Sequence, residues 1–326
     1  MSNGVSSPDG AQEIWGALSK KKAGAADLPP IGLVVQGGGM RGVYSLGVLA
    51  ALEEMGFGSS FDHIAGASAG AHNGTHFITG QARYGVETYI DYLSNRHFID
   101  LLRANKQVDI DYLIDHVVRR TRPFNLPALV EASTVLHIAL TDVQDATAHY
   151  VTNRTPGIDL WEAFRATAAM PILYNQFVRV GDRLYLDGSL SDCLPLQRVV
   201  DCGCRYIVVV LTKPLSFRSK RVSAPLRALA WRATRHYSQA LKQALFDENR
   251  NFNNTMSALA GNNGLIASES TKMLVIAPND GANLVTCITT DAKRLRQCAL
   301  QARVDAWRAF GQSPPPKDNP FRTDGV

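Results

Sequence analysis

The chain has 326 residues, 45% hydrophobic and 19% charged, with a net charge of +5 at pH 7. That length supports one large α/β domain or two small ones, and the apolar fraction is ordinary for a globular protein with a sizeable core. No apolar run approaches the roughly 18–20 residues that span a bilayer, and no nucleic-acid motif accompanies the basic balance.

Residues 1–29 read as a flexible or loosely docked tail ending at Pro29-Pro30, with no apolar leader in residues 1–26. Residues 31–36 form a short apolar run that ends in glycines, which suits a buried parallel strand. Residues 43–55 follow as a helix, with Leu46, Leu49, Ala50 and Leu52 on one side and Gly56 as its stop. Residues 61–67 read as a second strand and 69–78 as a second helix. Strand, glycine loop, helix, strand, sharp turn and helix together predict a parallel sheet with helices on its faces.

Residues 80–130 read as mostly helical, with a turn at Arg122-Pro123. Residues 135–143 and 149–152 make a hairpin-like pair, 160–170 a helix stopped by Pro171, and 177–180 with 183–186 a tight hairpin around Gly181-Asp182. Residues 205–211 are the clearest buried strand. Residues 217–245 then carry seven basic residues and no acidic one, with apolar residues interleaved at helical spacing. Such a helix can lie on a membrane surface, or pack on the domain with a solvated basic face. A helix at 246–260, a strand at 273–277 and a helix at 291–310 complete the pattern.

The five cysteines (Cys193, Cys202, Cys204, Cys287, Cys298) are odd in number and scattered. Cys202-Gly203-Cys204 leaves one intervening residue, too few for the usual zinc pair. Buried, reduced thiols in a cytoplasmic protein are the expectation, with no metal or organic cofactor.

Two glycine-framed segments carry chemistry. Gly66-Ala67-Ser68-Ala69-Gly70 fits G-x-S-x-G, a frame that puts a serine nucleophile on a tight strand-to-helix turn. Gly37-Gly38-Gly39-Met40-Arg41-Gly42 fits G-x-G-x-x-G, which serves either of two purposes. It is the dinucleotide fingerprint, but that use wants an acidic residue at the far end of the second strand. Asp62 stands at the near end and Ser68 at the far one. The other use is an oxyanion hole built from inward-turned backbone N–H groups. Arg41 can orient the loop, meet an anionic head group, or pair on the helix surface.

A serine hydroxyl needs a base, and none of the eight histidines (63, 72, 76, 97, 116, 137, 149 and 236) stands in a convincing place. His72 and His76 lie on the helix after the turn, where packing is the expected role. Asp187 ends a strand and precedes Gly188, so it can point into the same cleft, although Asp-Gly is also a common turn pair. As a base, its proton affinity must be raised by burial.

The order and spacing of Gly37 to Gly42, Gly66 to Gly70 and Asp187-Gly188 resemble the motifs of patatin-like phospholipases. Residues 163–171 (Ala-Phe-Arg-Ala-Thr-Ala-Ala-Met-Pro) resemble the segment leading to that family's aspartate. The resemblance spans roughly residues 31–310 and is nearest to a bacterial branch with a C-terminal helical extension. It implies a three-layer α/β/α fold with a mostly parallel central sheet: a catalytic core at 30–212, a helical extension with one strand at 213–311, and a tail at 312–326. It implies a lipid acyl hydrolase with a Ser68–Asp187 dyad and no histidine, Gly37, Gly38 and Gly39 as oxyanion donors, and Arg41, Gly42, Gly66, Gly70 and Gly188 supporting the motifs. The substrate would be a phospholipid or other acyl ester, and any membrane contact would run through 217–245 at the inner face. Acyl transfer to another acceptor, or non-catalytic lipid or nucleotide binding, remain open on the same scaffold. The family's third motif usually reads Asp-Gly-Gly or Asp-Gly-Ala, whereas position 189 here is Ser.

Overall fold

The central strands are apolar on both sides because helices cover both faces of the sheet. The computed structural model describes residues 8–220, 222–261, 271–282, 284–316 and 320–321. In chain order it contains α1 (Pro8–Lys22), β1 (Ile31–Val35), a 3-10 turn (Gly39–Arg41), α2 (Gly42–Glu54), β2 (His63–Ala67), α3 (Ala69–Ile78) and α4 (Ala82–Glu87). Two π-helical segments follow, Thr88–Tyr92 and Tyr112–Thr121, then α5 (Leu126–Glu131), β3 (Val135–Asp142), β4 (Ala148–Thr152) and α6 (Leu160–Thr167). The rest comprises β5 (Val178–Val180), β6 (Arg183–Asp187), a 3-10 turn (Gly188–Leu190), α7 (Leu196–Asp201), β7 (Tyr206–Val210), α8 (Ala224–Ala233), α9 (Gln239–Leu259), β8 (Lys272–Ile276) and α10 (Ala292–Ala309).

The sheet runs β5-β6-β3-β2-β1-β7-β8, with β4 also on β3. Its centre is parallel: β1 pairs with β2 and β7, β2 with β3, and β7 with β8. β4, β5 and β6 join antiparallel. Alternation along β1 divides the core in two. Ile31, Leu33 and Val35 pack into the larger cluster, with Leu46, Leu49 and Leu52 of α2 and Leu295 and Ala299 of α10. Val34 faces the other way, onto Val199 of α7 and Met256 and Leu259 of α9. This is a three-layer α/β/α architecture. The C-terminal stretch belongs to it: β8 extends the sheet, and α10 lies along α2, tied by Tyr44 Oη to Asp305 (2.8 Å) and Arg303 to Glu54 (2.7 Å).

Three sequence expectations change. Residues 8–22 of the expected tail form α1, an amphipathic helix whose Ile14 and Leu18 are fully buried. Trp15 packs edge-on to Phe57 and Phe310, and Lys21 pairs with Asp62 at 2.7 Å. Polar, small-residue composition hid the few apolar positions that anchor it. Residues 217–245 are not one basic helix: the chain breaks after α8 and restarts at Ser238, whose side chain accepts from Leu241 N and caps α9. Trp231, 55% exposed, stacks on Phe246, with Lys242 and Arg227 over the two rings. Of the interleaved residues, Trp231 thus joins an aromatic–cation ladder between two helices, while Tyr237 and Leu241 enter the main core. Of the cysteines only Cys204 and Cys298 are buried, and Cys287 is exposed.

Leu18→Ala tests the docking of α1. It is expected to lower unfolding stability in urea by about 2–5 kcal/mol, as for other buried leucines, whereas a tail residue would change it by under about 0.5 kcal/mol.

Candidate active site

Two register pairs bring the site together. Ala67, the last residue of β2, pairs with Ala139 of β3, and Asp187, the last residue of β6, pairs with the next residue, Leu140. Ser68 follows Ala67 at once, so the serine and the carboxylate emerge from neighbouring positions along one strand. Gly188 makes this possible: a Cβ there would lie 2.0 Å from Ala139 O.

Ser68 stands between β2 and α3 with φ 53° and ψ −131°, a conformation that costs a non-glycine residue of order 1–3 kcal/mol. Surrounding contacts hold it there. Ser68 N donates to Thr167 Oγ1 (2.9 Å), and that hydroxyl donates to Ala139 O (2.7 Å). Gly70 permits the turn to pack on β1, since a Cβ there would meet Val35 O at 2.1 Å; Gly66 likewise lies against Gly70. Strain of this kind projects the hydroxyl away from the strand and places it over the N-terminus of α3.

Asp187 is 2% exposed. Burial pushes its pKa up to about 6, opposed by hydrogen bonds from the Ser189 backbone and hydroxyl and from the Ser68 side chain. Ser189 N (2.9 Å) and Ser189 Oγ (2.7 Å) both donate to Asp187 Oδ1. The residue that departs from the expected Asp-Gly-Gly pattern is therefore a clamp on one carboxylate oxygen.

The glycine loop borders the same cleft as Ser68 and Asp187. Gly38 (φ 131°) and Gly39 (φ 56°) adopt backbone conformations that side chains resist. Among the described residues their N–H groups donate to no protein acceptor. Thr212 fixes the loop from behind, its hydroxyl reaching Gln36 Oε1 and Gly37 O (3.0 and 2.9 Å). Met40 N donates to Cys287 O at 3.0 Å from the front. Among the described residues Arg41 makes no helix-surface ion pair; its Nε contacts Thr212 Oγ1 at 3.4 Å. Gly42 sits beneath Tyr89 and Ala69.

Two cavities meet at Ser68. One is narrow and apolar, lined by Met40, Leu93, Phe98, Val108, Leu113 and Phe124 among others. The wide π-helical segments supply several of its walls. The second is an open polar cleft bounded by the glycine loop, Asp187, Ser189, Arg41, Lys213 and Glu248. Sequence reasoning missed Thr167, Thr212, Lys213 and Glu248. Thr212 and Lys213 follow the carboxyl end of β7, where open parallel sheets place their ligand sites, and that position was the available signal.

The histidines take other roles. His72 and His76 do pack in the core, but they also line the apolar cavity that reaches Ser68. His72 Nε2 lies 3.0 Å from Phe164 O, and burial lowers the two pKa values to about 4 and about 3, so both rings are neutral. His63, His137 and Cys202 converge at the opposite end of the sheet. Arg198 Nε donates to His137 Nδ1 (3.1 Å), which puts the ring proton on Nε2, facing His63 Nδ1 (3.1 Å). That tautomer spends the nitrogen a metal would need. Asp62, the acidic residue of the dinucleotide reading, caps the start of β1 and pairs with Lys21.

A family model described as patatin-like phospholipase matches residues 33–200. The uncharacterized protein YjjU of Escherichia coli (strain K12) is 30% identical over 191 residues, covering 56% of this chain. The chain spans about half (52%) of the length of that curated relative. Among solved structures, VipD from Legionella pneumophila overlays with a TM-score of 0.38 at 13% identity, over 84% of this chain and 67% of that one. That overlap is too loose to carry an argument.

The buried carboxylate has a signature independent of any reaction. Asp187's folded pKa of about 6 lies above the roughly 3.9 of an unfolded aspartate. Folding therefore loses stability as pH rises through 6 and is unpenalised below about 4. Asp187→Asn is expected to raise the melting temperature at about pH 8, with the gain shrinking as pH falls and gone below about pH 4.

Proposed function

Because the chain belongs to the patatin-like phospholipase family, we propose that it hydrolyses carboxylic esters of lipids through Ser68 and Asp187. The observation that carries this reading is a strained serine and a buried carboxylate on one cleft, beside unpaired glycine amides.

Ser68 Oγ attacks the ester carbonyl as Asp187 accepts its proton. A carboxylate with a pKa near 6 is mostly ionised at neutral pH, yet far more basic than a free aspartate. The carbonyl oxygen becomes an oxyanion, and the N–H groups of Gly38 and Gly39, with Gly37 shaping the turn, are placed to receive it. One such donor is worth about 3–4 kcal/mol in enzymes where it has been removed. Asp187 returns the proton to the departing alcohol, leaving an acyl group on Ser68. Water then attacks the acyl carbon and gives a proton to Asp187, which returns it to Ser68 Oγ as the acyl–Oγ bond breaks and the carboxylic acid leaves. The acyl chain lies in the apolar cavity beneath Ser68, where His72 and His76, both neutral, add no charge.

Ser189 positions the base. Its two hydrogen bonds both fall on Oδ1, so in this reading Oδ2 is the oxygen that takes the Ser68 proton. They also favour the ionised form.

With p-nitrophenyl butyrate, Ser68→Ala and Asp187→Asn are each expected to lower kcat by about 10³-fold or more. A fluorophosphonate should label the parent and not Ser68→Ala; full activity in either variant ends the reading. The parent kcat/KM should rise through a limb near pH 6 as Asp187 ionises. Ser189→Ala removes a bond to the carboxylate, so its limb should move to higher pH, and Ser189→Thr should move it back.

A further inference from the structure

The apolar cavity contains two groups that an all-methylene acyl chain leaves without partners. His72 and His76 stand one turn apart on α3, four and eight residues beyond Ser68, and both line the cavity. With a rise of about 1.5 Å per residue, they lie about 6 and 12 Å along the helix from the nucleophile. Phe124 stands perpendicular to both rings, at 86° and 88°, and holds the pair in place.

The hydrogen-bond state of each ring follows from its surroundings. His72 Nε2 lies 3.0 Å from Phe164 O, and a carbonyl only accepts, so Nε2 carries the proton and Nδ1 is a bare acceptor. His76 Nδ1 is sealed in the core with no partner. A sealed lone pair is a cheaper orphan than a sealed N–H, which places the His76 proton on Nε2. Among the described residues, neither His72 Nδ1 nor His76 Nε2 is sealed in this way or paired with protein. The two residues are only 6% and 3% exposed, so the space these nitrogens open to is the cavity. Other polar side chains on the same wall are satisfied. Asn73 Nδ2 donates to Gly42 O (2.8 Å), Tyr89 Oη to Asn73 Oδ1 (3.2 Å) and Thr88 Oγ1 to Tyr84 O (2.9 Å).

One acceptor and one donor, a helical turn apart, thus face a narrow apolar space. Burial keeps both rings neutral, so no charge there calls for an ionic partner. A hydroxyl matches the pair, donating to His72 Nδ1 while accepting from His76 Nε2. A methylene at the same depth would leave both nitrogens unpaired, which protein interiors avoid. Resting on the ester-hydrolase reading above, we propose that His72 and His76 form a hydroxyl-binding subsite, and that the enzyme prefers acyl chains hydroxylated at that depth over plain ones.

The p-nitrophenyl esters of ω-hydroxyoctanoate and nonanoate, equal in chain length and differing only in a terminal hydroxyl or methyl, test this. The parent is expected to favour the hydroxy ester in kcat/KM by about three- to tenfold, the yield of one net neutral hydrogen bond. His72→Phe and His76→Phe should each reverse the preference, since the hydroxyl is then buried short of a partner. Should either variant fail to fold, product inhibition of p-nitrophenyl butyrate hydrolysis decides on the parent alone. There ω-hydroxyoctanoate is expected to inhibit at severalfold lower concentration than nonanoate, and equal or weaker inhibition overturns the subsite. A parent ratio at or below one assigns the two nitrogens to trapped water and likewise overturns it. A ratio above one that neither substitution moves overturns the role of the histidines while ester hydrolysis stands. No hydrolysis of any ester and no fluorophosphonate labelling of Ser68 would instead overturn the hydrolase reading, and the subsite with it.

Discussion

One strand acts as the ruler for the whole site. Consecutive residues of β3, Ala139 and Leu140, set the positions of Ala67 and Asp187, and the Ala139 carbonyl receives the threonine hydroxyl that in turn holds the Ser68 backbone. A side chain with period two admits no partial slip: moving β3 by one residue against either neighbour would exchange its two buried faces, each packed against a different layer. Core packing therefore fixes the register, and the register fixes the distance between serine and carboxylate. The strain at Ser68 is sustained by the same means, because the backbones around it approach too closely to let it relax.

Around that point the protein divides its surfaces by polarity. Below Ser68 the cavity walls are aromatic and aliphatic, with two neutral histidines whose low pKa values follow from burial. Beside it the cleft carries Arg41, Lys213, Glu248 and the Asp187 carboxylate. An amphipathic substrate has only one sensible orientation in such a site, with its chain below and its polar end beside the glycine loop. Orientation is thus set by solvation before any specific contact forms.

Much of this was legible in the sequence, and the reasons for success and failure are physical. Ser68 and the glycine loop sit where backbone geometry demands particular residues, so small-residue frames drew attention to them, whereas Asp187 read equally as a turn residue and rested on the family resemblance. Buried parallel strands such as β1 and β7 also announced themselves, because burial on two faces leaves a continuous apolar run. α1 did not: Ile14, Ala17 and Leu18 anchor it amid polar residues, and only tertiary contact reveals their worth. The break between α8 and α9 was masked because Trp231, Tyr237 and Leu241 continue a roughly helical spacing across it, while Trp231 stacks on Phe246 of the other helix. Lys213 had no motif. Its place in the cleft comes from two phenylalanines brought to it by the fold, one of them on α9.

The glycine turn is fastened at Met40 by the carbonyl of Cys287, and α10 braces the helix that follows the turn. Both lie far beyond residue 200, where the match to the family ends. A minimal fragment cut to the shared motifs would retain every hallmark residue and lose the clasp on its glycine loop. Among relatives, divergence in the C-terminal third can accordingly retune the catalytic geometry while leaving the signature letters untouched.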